Sequence, residues 1–137
     1  MSAILVTSGE SYWLNAILPK ATADTWKLGL FKNSPTITRA TVLADLTACD
    51  FAGYAAINTG GYNAAAIDGS NIAYSNPTSN SFAFTRSTTG TAQTANGWYL
   101  YEGTTLIMAE TFGSPFTFVS AGDTLTLTNK VQLQSDT

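Results

Sequence analysis

None of the 137 residues is a histidine and only nine are carboxylic acids, so acid-base catalysis in this chain would have to come from paired carboxylates. Glu102 and Glu110 are the pair that local spacing brings closest. They lie on opposite arms of an expected hairpin over residues 98–102 and 105–112, where they can be cross-strand neighbours. Across a sugar-sized groove two such acids would hydrolyse a glycosidic bond; on a water-facing hairpin they are two solvated side chains, which is the plainer reading. The many Ser and Thr hydroxyls have no imidazole to take their proton, and no S-x-x-K spacing offers a lysine instead. Cys49, the single cysteine, sits in Thr47-Ala48-Cys49-Asp50-Phe51 with nothing to activate it, and reads as a small packing residue. Asp68-Gly69-Ser70-Asn71 gathers oxygen atoms in one turn but lacks calcium-loop spacing, and zinc ligand sets cannot be assembled at all. The expectation is a protein that is not an enzyme, with no catalytic, cofactor-binding or metal-binding residue and no cofactor.

Charge and composition narrow the partners. The net charge is −3 and the six basic residues are scattered, which leaves no electrostatic footprint for nucleic acid. Three Trp, six Tyr and seven Phe could stack on bases or sugars, but a single-strand platform also needs a basic groove. No apolar run approaches the roughly 18 residues of a membrane span. The apolar stretch Ala3, Ile4, Leu5, Val6 has no basic residue before it, so it does not read as a secretory signal. Charged residues make up 11% of the chain, against roughly 25% in ordinary domains. Thr, Ser and Asn together supply 43 residues, so neutral hydroxyl and amide groups must cover the solvated faces. Such a surface repels neighbours weakly and suits packing against copies of itself or a partner, although secreted β-proteins share the texture.

The elements that would position these groups are mostly strands. Thr7-Ser8-Gly9-Glu10 has capping-box spacing, and Trp13, Leu14, Ile17 and Leu18 recur at helical spacing before Pro19, which predicts a short helix over about residues 8–18. From residue 25 to 32 the period becomes two, with Trp26, Leu28 and Leu30 on one face and Lys27, Gly29 and Phe31 on the other. Residues 41–51, with Val42, Leu43, Leu46 and Phe51 among polar residues, read as one loose helical turn or an irregular crossing, and are expected to be loop. Short strands follow at 54–58, 62–67, 71–74 and 81–86, with Asp68-Gly69 as a hairpin turn and Phe82 and Phe84 on a common face. Residues 87–96 are expected to be an exposed connection, with Asn96-Gly97 opening the hairpin. Beyond it come a strand over 116–119 and a final strand over 124–134 with a bulge near Asn129. On the first hairpin arm Tyr99 and Tyr101 face away from Trp98 and Leu100, an apolar or aromatic layer on either side. Turn signals every 8 to 12 residues without strand-helix alternation imply an all-β chain. The expected architecture is one domain over residues 1–137, an antiparallel β-sandwich, jelly-roll-like or immunoglobulin-like, with one short N-terminal helix.

Several segments together resemble a known group. Leu28-Gly29-Leu30-Phe31-Lys32-Asn33 with a following Pro, then Leu43-Ala44-Asp45-Leu46-Thr47, then Asp50-Phe51-Ala52-Gly53-Tyr54-Ala55, are similar to the front half of small β-rich proteins encoded among tailed-bacteriophage structural genes. Trp98-Tyr99-Leu100-Tyr101, Leu106-Ile107-Met108-Ala109-Glu110-Thr111-Phe112 and Gly122-Asp123-Thr124-Leu125-Thr126-Leu127-Thr128 resemble the back half. The resemblance covers about residues 26–133 and brings no catalytic motif. It implies a virion structural component, made in the host cytoplasm without a signal peptide, that decorates or cements the capsid head. The implied partners are the major capsid protein or other virion proteins and further copies of the chain, a trimer favoured; nucleic acid and membrane are not expected partners. Ala3, Ile4, Leu5 and Val6 are the candidate inter-chain contact, a strand that can be added to a neighbouring sheet. The alternative is a fibre or tail-tip module that recognises host-surface glycans through exposed aromatics.

Overall fold

The structure is a computed structural model that describes Leu14 and residues 26–79, 81–128 and 130–133. Among the described residues nine strands run in chain order: β1 Lys27–Phe31, β2 Ile57–Asn58, β3 Ala66–Ile67, β4 Ala73–Ser75, β5 Phe82–Thr85, β6 Gln93–Glu102, β7 Thr105–Phe118, β8 Thr124–Leu127 and β9 Val131–Leu133. They form three sheets, ordered β2-β1-β6-β7, β3-β4-β9 and β5-β8, and every strand pair is antiparallel. The expected helix over 8–18 and the Ala3–Val6 strand lie outside the described residues, apart from Leu14, which is fully buried. The chain divides into two compact units, one of residues 1–24, 60–81 and 128–137 and the other of residues 25–59 and 82–127.

The larger unit holds the four-stranded sheet and the β5-β8 pair. In β1 the period of two works as expected: Leu28 and Leu30 are buried with Phe82 and Phe84 of β5, Cys49, Phe51, Ala95 and Phe118, and Leu125 and Leu127 of β8 pack against the same cluster. The opposite face is also closed, by two cross-strand pairs of one design. Gly29 stands opposite Tyr99, and Phe31 stands opposite Gly97. A Cβ at Gly29 would lie 2.6 Å from Cζ of Tyr99, and one at Gly97 would run into the Phe31 ring and the Glu110 carbonyl. Each ring therefore lies flat on bare backbone. That leaves Phe31 with 0% and Tyr99 with 5% of its surface exposed, and Tyr101 stacks on Tyr99 at 5.3 Å.

The hairpin β6-β7 differs from expectation at both of its breaks. β6 begins at Gln93 rather than Trp98, because residues 93–95 pair with residues 116–118 and put Ala95 in the core. Asn96-Gly97 consequently lies inside the strand, at a register shift between Ala95 and Gly97, and β7 continues through Gly113-Ser114-Pro115 to Phe118 as one element. The expected final strand is really two strands in different sheets, β8 pairing with β5 and β9 with β4.

Arg86 is buried, with 6% of its surface exposed. Its Nε donates to the Thr88 carbonyl at 2.7 Å, and its Nη1 donates to the Thr91 and Phe118 carbonyls at 3.0 Å each. A guanidinium suits this position because it is weakly hydrated and carries five donors in a rigid fork. It ties the 87–92 connection to the end of β7. Next to it, Asp123 Oδ2 accepts the Val119 and Ser120 N–H groups at 2.7 Å each and fixes the turn into β8.

In the smaller unit, β3 and β4 are joined across the Asp68 turn. Asp68 Oδ1 accepts the Ser70 and Ile72 N–H groups at 2.9 and 3.0 Å. Asn71 at φ 60°, rather than Gly69, takes the left-handed position. Ala73, Ser75, Tyr62 and Val131 are buried, and the Lys130 ammonium sits 4.9 Å from the centre of the Tyr74 ring.

Gly97→Ala is expected to cost about 1–3 kcal/mol through overpacking, read as a lower denaturation midpoint; an unchanged midpoint would mean that Phe31 does not lie on residue 97. Arg86→Met should cost about 1–3 kcal/mol by leaving the buried Phe118 carbonyl without its donor. Arg86→Lys should recover only part of that loss, since an ammonium lacks the fork.

Candidate functional site

The segment that leaves β1 is held in place by side chains and forms one wall of a groove. Asn96, at the register shift of β6, donates through Nδ2 to the Lys32 and Asn33 carbonyls at 2.7 and 3.1 Å. Asn33 closes the excursion, accepting the Thr47 N–H at 2.9 Å through Oδ1 and donating to the Asp45 carbonyl at 2.8 Å through Nδ2. Within the excursion, Thr41 Oγ1 accepts the Thr38 N–H at 2.8 Å, and Asp45 Oδ2 accepts the Val42 N–H at 2.9 Å at a single 3-10 turn, Leu43–Asp45.

The return of this excursion seals the edge of β1 beyond the short β2. Cys49 N–H donates to the Leu30 carbonyl at 2.9 Å, and the Tyr54 hydroxyl accepts the Leu30 N–H at 2.9 Å. Burial raises both phenols, Tyr54 and Tyr99, above the ordinary tyrosine value, and it pushes the Cys49 thiol up to about 12. Outside this corner, Lys32 Nζ meets Asp50 Oδ1 at 2.9 Å. Gln93 Oε1 accepts the Asp50 and Phe51 N–H groups at 2.8 and 3.1 Å, and its amide also donates to the Asp50 carboxylate. The Lys32 bond first and the Gln93 bond second hold the Asp50 carboxyl below its ordinary value.

Ile37, Thr38, Arg39 and Thr41 face Leu106, Ile107, Met108 and Ala109 of β7 across a groove of ≈ 370 Å³. Among the described residues β7 is the outermost strand of its sheet, so its outer backbone groups border this groove. The lining is aliphatic side chains, hydroxyls and one guanidinium. It offers hydrogen bonds and apolar contact rather than a carboxylate pair.

The sequence-derived candidates fall elsewhere. Glu102 stands opposite Thr105, and Glu110 stands opposite Trp98. Four residues along β6 separate the two positions, about 13 Å at ~3.3 Å per residue, beyond the spacing that glycosidase acids use. Each carboxylate instead accepts an indole N–H, Glu102 from Trp26 at 3.2 Å and Glu110 from Trp98 at 3.1 Å. Asp68 is occupied by backbone donors, and among the described residues no group of three or more Cys, Asp or Glu side chains could hold a metal ion. Ala3, Ile4, Leu5 and Val6 lie outside the described residues. Among the described residues no helix is long and apolar enough to cross a membrane. The groove was not foreseen: residues 34–40 have no periodicity, and the only local signal was the Thr38-x-x-Thr41 spacing of a hydroxyl-closed turn.

Comparison of this chain with protein-family models, with curated proteins and with solved structures finds no match.

Because the folded Asp50 carboxyl titrates below its unfolded value, its stabilisation is present above the ordinary carboxylate range and is lost as pH falls through the lowered folded value. Thermal melts taken from about pH 5 down to about pH 2 should therefore steepen for the wild type relative to Asp50→Asn. Equal slopes would remove the role given to this pair. The raised, buried Cys49 thiol should resist alkylation at about pH 8 in the native protein and react once denatured.

Proposed function

We propose that this chain is a non-enzymatic structural protein of a tailed-bacteriophage virion, a capsid decoration or cement protein that stabilises the head lattice through protein-protein contacts. The architecture this reading uses is an antiparallel β-sandwich, jelly-roll-like or immunoglobulin-like, with a short helix near the N-terminus. Its partners are the major capsid protein or other virion proteins, together with further copies of itself, a trimer favoured. Affinity then comes from repetition over symmetry-related sites rather than from chemistry at one site.

The observation that carries the proposal is where the large aromatic rings go. Phe31, Phe51, Tyr62, Phe82, Phe84, Tyr99 and Phe118 are all buried, and the indole N–H groups of Trp26 and Trp98 are bonded to Glu102 and Glu110. A glycan-reading tail-tip module would present aromatic faces beside Asn and Asp in a concave site. Here the rings serve packing, while the outward strand positions carry paired hydroxyls such as Thr85 with Thr124 and Thr94 with Thr117, each pair at 2.8 Å. That exterior supports adhesion to neighbouring protein.

Mass spectrometry of purified particles is the direct test. The chain should be present in many copies per head, and heads lacking it should lose heat stability that added protein restores. Absence from the particle would overturn the reading, and binding to a glycan array without binding to heads would replace it with the tail-tip alternative.

A further inference from the structure

We propose that the outer edge of β7 at Leu106–Ala109 is an acceptor site for an extended segment of a second copy of this chain, and that the segment is Ala3-Ile4-Leu5-Val6. The acceptor is an edge whose protection is missing where it matters. Proline, lysine and other charged residues commonly blunt free strand edges, yet residues 105–109 read Thr-Leu-Ile-Met-Ala, with none of them. The Ile37–Thr41 wall leaves beside that edge a groove of ≈ 370 Å³, a volume on the scale of a few side chains rather than of a second sheet.

The donor matches in chemistry and length. Ala3-Ile4-Leu5-Val6 is uncharged, aliphatic and free of Gly and Pro, and as a strand its four residues would span about 13 Å at ~3.3 Å per residue, the same as Leu106–Ala109. Main-chain bonds along the edge would give affinity, and aliphatic side chains in the groove would give register. Leu14 is fully buried, and the eleven residues from there back to Ala3 can extend by at most about 36–40 Å. Each copy then carries one donor and one acceptor, a head-to-tail arrangement that closes into a ring when the rotation allows. The inference goes beyond the virion reading, and the two fail separately because pure protein suffices for this test.

The experiment mixes full-length chains carrying Leu5→Cys with full-length chains carrying Met108→Cys under oxidising conditions, alongside sedimentation of the unmodified protein and of Leu5→Asp. The expected result is an oligomer for the unmodified protein, a disulfide between the two different chains, and a shift to monomer for Leu5→Asp with an unchanged circular dichroism spectrum. A monomeric unmodified protein, an oligomer without the cross-link, or a bond that forms only within one chain in a Leu5→Cys, Met108→Cys double variant would each overturn the proposal. Because the cross-link readout needs only mild substitutions, a folding defect in Leu5→Asp does not rescue or sink it.

Discussion

The larger unit depends on two glycines at the centre of its main sheet. Gly29 and Gly97 lie on adjacent strands, and each lets the aromatic ring directly opposite settle onto bare backbone. A sheet with one face on a core usually leaves the other to water and polar side chains. Here Phe31 and Tyr99 occupy that second face from within the sheet, each ring set against the bare backbone of the glycine opposite and itself buried. The arrangement trades the conformational cost of glycine in a strand for aromatic burial, which contributes more per residue.

With both faces of the central strands settled, what remains is to fasten the loops. Polar side chains do this through backbone groups rather than through ion pairs. Asn33 and Asn96 hold the excursion after β1, Gln93 holds the corner at Asp50 and Phe51, Asp123 holds the turn before β8, and Arg86 gathers three carbonyls. This explains how a chain with so few charges can keep long irregular connections in register. Side-chain amides and a forked guanidinium satisfy main-chain donors and acceptors of these connections, the Phe118 carbonyl among them buried. Among the described residues, six charged side chains, Asp45, Asp68, Arg86, Glu102, Glu110 and Asp123, are engaged with the protein's own backbone or indoles.

Much of this was legible wherever the pattern was local. The alternation in β1, the common face of Phe82 and Phe84, the hairpin between β6 and β7, and the Asp68 turn all follow from period-two spacing and turn chemistry that neighbouring residues decide. The failures have a common physical origin. Residues 93–95 carry little apolar surface and read as connection, yet they are strand because residues 116–118 pair with them, a partner far away in sequence. Gly113-Ser114-Pro115 reads as a break, and the ladder is indeed interrupted there, residues 112–115 falling in the register shift between the Gly97–Thr111 and Ala95–Phe116 pairs, while the strand itself runs on to Phe118. The split of the last expected strand between two sheets was likewise a decision of tertiary pairing. The groove was invisible because its wall is shaped by asparagine side chains whose contacts no periodicity reports.

The chain crosses between its two units at residues 24/25, 59/60, 81/82 and 127/128, so the smaller unit is made of three separate stretches of sequence. No single cut can release it, and no single cassette can transplant it into another protein. Gene rearrangement must therefore carry both units together or neither, and during synthesis the smaller unit must wait until residues 131–133 have left the ribosome before β9 can pair with β4.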